Sequence, residues 1–101
     1  MRVQCKKTAI DHIQETERYV SKETHTRRAA QKLTRLIVQT VSLLAVNPYM
    51  GTPLNSKNDV DTDIRFLMVS KHLIFYRVRE PACVEVARVI DGRQDYMAIL
   101  F

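Results

Sequence analysis

Three runs of the chain decide its fold: Ile64-Arg65-Phe66-Leu67-Met68-Val69, Leu73-Ile74-Phe75-Tyr76-Arg77-Val78-Arg79 and Val84-Glu85-Val86-Ala87-Arg88-Val89-Ile90. Each is rich in β-branched and aromatic residues, the side chains that pack best on a pleated surface. Only Ser70-Lys71-His72 and Glu80-Pro81-Ala82-Cys83 separate them. Separators that short leave no room for a crossover helix, so the runs are expected as consecutive antiparallel strands. Asp91-Gly92 breaks the last strand, and the apolar tail from Tyr96 to Phe101 is expected as a short helix packing back on the core.

Upstream of these strands the period changes. Asn55 to Asp63 is polar and without apolar periodicity, which predicts a mobile loop, and Pro48-Tyr49-Met50-Gly51-Thr52-Pro53 is a turn by composition. Before it, Ala30, Leu33, Ile37, Val41 and Leu44 recur every three or four residues until Asn47-Pro48, a helix that Thr24 or Thr26 would cap. Ile10, Ile13 and Val20 form the apolar stripe of an earlier helix, with Thr8 at its start and its end near Ser21. Arg2 to Lys7 alternate in the period of a half-buried strand, with Val3 and Cys5 on one side. The expected order is β-α-α-β-β-β: an α+β fold in which an N-terminal helix hairpin packs on a small, mostly antiparallel sheet.

The chain has 101 residues, which suits one domain spanning 1–101. It is 46% hydrophobic, with two glycines and three prolines, a globular composition. Sixteen Lys plus Arg against eleven Asp plus Glu give a net charge of +5, which favours an acidic partner, nucleic acid or protein. No stretch approaches the ~20 apolar residues of a membrane span, and Lys6-Lys7 interrupt the N-terminus before any signal-peptide core, so a cytoplasmic protein with no membrane association is expected. Cys5 and Cys83 form no CxxC pair and are expected as buried free thiols.

Most motif chemistry fails on spacing. Asp59-Val60-Asp61-Thr62-Asp63 opens like a calcium loop, but Ile64 and Ser70 stand where Gly and a bidentate Glu are needed. His12, Glu15 and His25 do not compose a zinc motif, and neither a Gly-rich phosphate loop nor a nucleophile elbow is present, so no metal and no cofactor is expected. A helix-turn-helix reader would need a third helix where this chain has strands.

What remains is a basic constellation. Arg65, Arg77, Arg79, Arg88 and Arg93 lie on or beside the strands, with Lys71, His72 and Tyr76 near them in sequence. Alternation puts Arg77 and Arg79 on the sheet face of Leu73 and Phe75. A solvated, charge-protected face is the plain explanation for any one arginine; a concave anion site, for RNA phosphate or an acidic peptide, is the functional one.

The segment His72 to Val78, the strand Val84 to Ile90, and Asp91-Gly92-Arg93-Gln94-Asp95 together resemble the C-terminal half of RelE/ParE toxins of type II toxin–antitoxin systems. Ala9 to Ile13, Ala29-Ala30, Leu44, Asn47-Pro48 with Gly51, and Ile64-Arg65 extend the likeness over nearly the whole chain. The resemblance implies a plasmid-stabilisation type of toxin held in check by a cognate antitoxin, with one of two activities on one fold. ParE-like members poison DNA gyrase; RelE-like members are mRNA interferases that cleave messenger RNA on the ribosome without a metal. Arg65 and Arg93 match positions where the nuclease branch keeps arginines, with Asp91 and Tyr96 as the remaining candidates for its acid–base chemistry. Against that branch, the apolar end Ile99-Leu100-Phe101 replaces its C-terminal tyrosine, and Asp91 stands where many relatives carry His. The expectation is therefore a ParE-like gyrase inhibitor using the helix hairpin and the basic strand face, with the ribosome-dependent endoribonuclease as the alternative and an inactive binding module as a third reading.

Overall fold

The computed structural model describes residues 1–24, 26–80 and 82–101. His25 and Pro81, named above in a failed zinc motif and in a strand separator, lie outside the described residues. The elements run β1 (Arg2–Cys5), α1 (Lys7–Thr24), α2 (Arg27–Leu43), β2 (Thr52–Pro53), a 3-10 turn (Leu54–Ser56), β3 (Arg65–Val69), β4 (His72–Arg79), β5 (Cys83–Asp91) and α3 (Tyr96–Leu100). The strands form one sheet in the order β1-β5-β4-β3-β2. β3, β4 and β5 are consecutive and antiparallel, and β1 joins β5 in parallel, with Arg2 opposite Cys83 and Cys5 opposite Val86. The α+β class and the hairpin-then-sheet order are as the sequence periods predict.

Each face of the sheet has its own core. On one, Ile74, Tyr76, Val84, Val86 and Val89 meet Ala9 of α1 and Ile37, Val41 and Leu44 from the α2 region. On the other, Leu73, Phe75 and Ile90 are covered by Leu54, Ile64 and Val60 of the connecting segment and by Tyr96, Met97 and Leu100 of α3. A register shift at Phe75/Tyr76 leaves Ala87 of β5 unpaired, because Phe75 faces Arg88 and Tyr76 faces Val86. That extra residue lets Val84 and Val86 share a face with Val89, which strict alternation would forbid.

Several local expectations need correction. The Asn55–Asp63 stretch is a loop from residue 57 onward, but the 3-10 turn takes its first two residues and Val60 anchors it on the second core. A two-residue strand and a lone valine carry no period to detect. α1 begins at Lys7, and the Thr8 hydroxyl donates to the Ala87 carbonyl at 2.8 Å instead of capping the helix, tying α1 to β5 at the bulge. α1 also continues three residues past Ser21, and its buried stripe begins at Ala9, while Ile10 is 43% exposed. Thr26 caps α2, accepting from the Arg28 N–H at 3.2 Å. Cys5 and Cys83 are free and only half-buried.

Candidate functional site

The five arginines of the basic constellation do not converge. Arg65 donates to the carbonyls of Tyr49 (3.3 Å) and Gly51 (2.7 Å), with its guanidinium 5.1 Å from the Tyr49 ring centre. It fastens the connection from α2 to β2. The same turn is closed from the sheet, where the buried Tyr76 hydroxyl accepts the Gly51 N–H at 2.9 Å. Burial raises the Tyr76 pKa, so the phenol stays protonated.

Arg77 pairs with Asp63 at 2.9 Å. Arg79 and Lys6 share one oxygen of Glu85, each at 3.5 Å. These groups lie on the half of the second face that α3 and the 54–64 segment leave uncovered, as the alternation from Leu73 and Phe75 predicts. Arg77 and Arg79 are thus brought together, and the carboxylates beside them remove much of their surplus charge.

Arg93 stands at a different site. Its Nε and Nη2 donate to the two Asp91 oxygens at 3.1 and 2.8 Å, and its backbone N–H donates to Oδ1 at 2.9 Å. Those three bonds hold the Asp91 carboxyl at a pKa of about 2. A carboxylate so held is no proton donor at neutral pH. Tyr96, the other candidate acid, packs its ring 5.4 Å from Phe75 in the second core. Arg65, Asp91, Arg93 and Tyr96 therefore do not face one common point.

Arg93 and Asp91 line a cleft of about 570 Å³ between α1, the β4 and β5 ends and α3. α1 contributes His12, Glu15, Thr16 and Tyr19, and the sheet contributes His72. His12 Nδ1 accepts the Val89 N–H at 3.4 Å, so the imidazole joins α1 to β5 where no neighbouring strand does. His72 is 9% exposed and its Nδ1 has no partner among the described residues. Burial lowers the pKa of both histidines, with Arg88 adding to the effect on His12 and Arg93 to that on His72, so both are neutral at pH 7. The sequence reading missed this cleft, although His12, Thr16 and Tyr19 at i, i+4 and i+7 mark one helix stripe. Among the described residues no group of three or more His, Cys, Asp or Glu is placed to hold a metal ion. Nor, among the described residues, is any helix long and apolar enough to cross a membrane.

A family model described as the ParE toxin of the type II toxin–antitoxin system parDE matches residues 3–96. The chain belongs to the ParE toxin family. A solved structure titled as the chromosomal ParDE toxin–antitoxin system from P. aeruginosa has the same fold, with a TM-score of 0.74 at 18% identity over 90% of this chain and 95% of that one. No curated protein matches the sequence. This ParE-family chain is thus the toxin component of a type II system, and an antitoxin is the partner its class implies. The ParE family lies within the RelE/ParE group that the strand segment and the Asp91-Gly92-Arg93 step resemble.

Proposed function

We propose that this toxin acts in the cytoplasm as an inhibitor of DNA gyrase, neutralised by a cognate antitoxin. The observation carrying this reading is the dispersal of the groups that ribosome-dependent RNA cleavage would need. That chemistry requires a base for the 2′-hydroxyl, an acid for the leaving oxygen, and cations for the developing phosphate charge, all within reach of one bond. Here Arg65 is held by backbone carbonyls, Arg93 by Asp91, and Tyr96 by the second core. A toxin that works by seating on another protein needs no such convergence. It needs a rigid scaffold and an accessible surface, which the helix hairpin and the uncovered face of Arg77 and Arg79 provide.

The test is a supercoiling assay with purified gyrase and plasmid DNA, run beside cleavage of ribosome-bound messenger RNA. The expected result is lost supercoiling or trapped cleaved DNA, reversed by the antitoxin, with the messenger intact. Arg65→Ala and Arg93→Ala are expected to leave gyrase inhibition within about threefold of the parent protein, since the helix hairpin and the Arg77 and Arg79 face, not these two guanidinium groups, are read as the gyrase surface. Cleaved messenger and normal supercoiling would transfer the function to the nuclease alternative; neither activity from folded protein would favour the inactive module.

A further inference from the structure

The net charge of the chain is +5, and the segment 18–35 accounts for all of it: Arg18, Lys22, Arg27, Arg28, Lys32 and Arg35 stand against Glu23 alone. These six cations occupy the end of the helix hairpin where α1 leaves and α2 begins, and all six are exposed. None forms an ion pair among the described residues. Arg18, Lys22 and Arg27 line a groove of about 630 Å³ between the helices with Gln14, Ser21 and Glu17. Glu17, the one carboxylate in that groove, accepts the Thr34 hydroxyl at 2.9 Å.

Spacing arranges the cations in two rows. Arg18 and Lys22 are four residues apart on α1; Arg28, Lys32 and Arg35 fall at i, i+4 and i+7 on α2, a row of about 10 Å at 1.5 Å per residue. Lys22 in the last turn of α1 suits that helix's dipole, but the cations that open α2 gain nothing from theirs. The first turn of α2 contains no acidic residue, and Arg27 and Arg28 sit at the positive end of its dipole, where a cation is repelled.

We propose that the hairpin end is a binding surface for the sugar–phosphate backbone of double-stranded DNA. An acidic peptide is the competing occupant, and the surface lacks what such a peptide requires. Peptide recognition places apolar anchors in pockets, yet among the described residues no exposed large apolar side chain lies between Tyr19 and Leu36. A polyanion of regular charge spacing needs only matched cations and the release of its condensed counterions. Contacts to phosphates carry no sequence information, so the surface is expected to take DNA without sequence preference. It lies apart from the Arg77 and Arg79 face and does not depend on gyrase being the target.

The test uses the full-length toxin freed of antitoxin, a fluorescent 20-base-pair duplex and anisotropy across a salt series, with gyrase absent. The parent protein is expected to bind with a Kd of about 1–100 μM near physiological salt and to weaken linearly in the logarithm of salt. Arg28→Gln, Lys32→Gln and Arg35→Gln together should lower affinity at least about tenfold and flatten the slope by roughly 0.9 for each phosphate contact removed. Lys7→Gln, Lys57→Gln and Lys71→Gln, which remove the same charge elsewhere, should change neither by more than about threefold. A thermal melt of the hairpin variant, expected at or above the parent's, separates lost binding from lost fold. No DNA binding by the parent, or equal losses in both triple variants, would overturn the proposal. Undiminished DNA binding by the hairpin variant with weakened antitoxin or gyrase binding would also overturn it and give the surface to an acidic protein.

Discussion

Gly51 shows how much one residue can be constrained. A Cβ there would lie 2.5 Å from the Tyr76 hydroxyl and 2.8 Å from the Phe66 carbonyl, while the Gly51 carbonyl accepts from Arg65. Side chain, backbone and guanidinium all crowd one methylene, so Gly51→Ala is expected to destabilise by about 1–3 kcal/mol in urea denaturation. Adding Tyr76→Phe should not restore the loss, because the Phe66 carbonyl stays in place and the Gly51 N–H loses its acceptor. Full recovery in the double variant would show that the phenol oxygen alone is the obstacle. The residue scale is also where sequence reading was weakest. Arg65 stands out in a sequence as a functional cation, and only the fold reveals two carbonyls within its reach. Asp91 and Arg93, two apart, could have been read as a pair, since a carboxylate and a guanidinium at that spacing across a turn can meet.

At the scale of elements, the joint between α1 and β5 is built from polar groups and therefore depends on pH. Val89 donates to His12, and the Thr8 hydroxyl donates to Ala87, so the first half of α1 is fixed to the strand where β1 has ended. Arg88, Glu15 and Asp11 face His12; Asp91 and Arg93 face His72. Both imidazoles have pKa values below their ordinary 6.5 in the folded protein, so folding favours their neutral forms. The stability this represents is fully present above pH 6.5 and is lost as pH falls from there through the folded values. Thermal melts between pH 7.5 and 5 should show a falling midpoint, with a slope of at most about 1.4 kcal/mol per pH unit for each histidine. His12→Gln should flatten that slope; an unchanged slope would mean that His12 is not charged on acidification. The long elements were legible because three strands and two helices repeat their apolar residues over several turns or pleats. β2, the 3-10 turn and the bulge at Ala87 were not, since a period needs more residues than they contain. Thr8 had the sequence of a cap, but a carbonyl exposed by the bulge competed for its hydroxyl.

For the whole molecule, the sheet separates two apolar layers of unequal origin. The first joins elements from both halves of the sequence, and the second comes entirely from residues after 53. Hydrophobic pattern alone foretold the first layer, where regular helices meet alternating strands. Of the second layer's cover, the short tail helix was foretold by its apolar run, and only the irregular 54–64 segment escaped. Charge distribution was legible as a total and not as a place: the excess of cations pointed to an acidic partner, whereas Arg77, Arg79 and Arg93 each meet a carboxylate in the fold. The densest group of cations without an ion pair is on the helices, where the signs between residues 18 and 35 already show it.

The parallel pairing of β1 with β5 has a consequence for the order in which the molecule assembles. Both helices and every antiparallel pair connect neighbours in sequence, but Arg2 must find Cys83 across 81 positions. Closing so large a loop is favourable only after the intervening hairpins exist. β1 should therefore dock late in folding. Val3→Ala is expected to accelerate unfolding while leaving the refolding rate nearly unchanged, a φ-value near zero in stopped-flow measurements. A φ-value near one would instead put this strand in the nucleus. Until β1 docks, the N–H and C=O groups of β5 opposite it are open, and the newly made chain carries a vacant strand position that its own first residues are the last to fill.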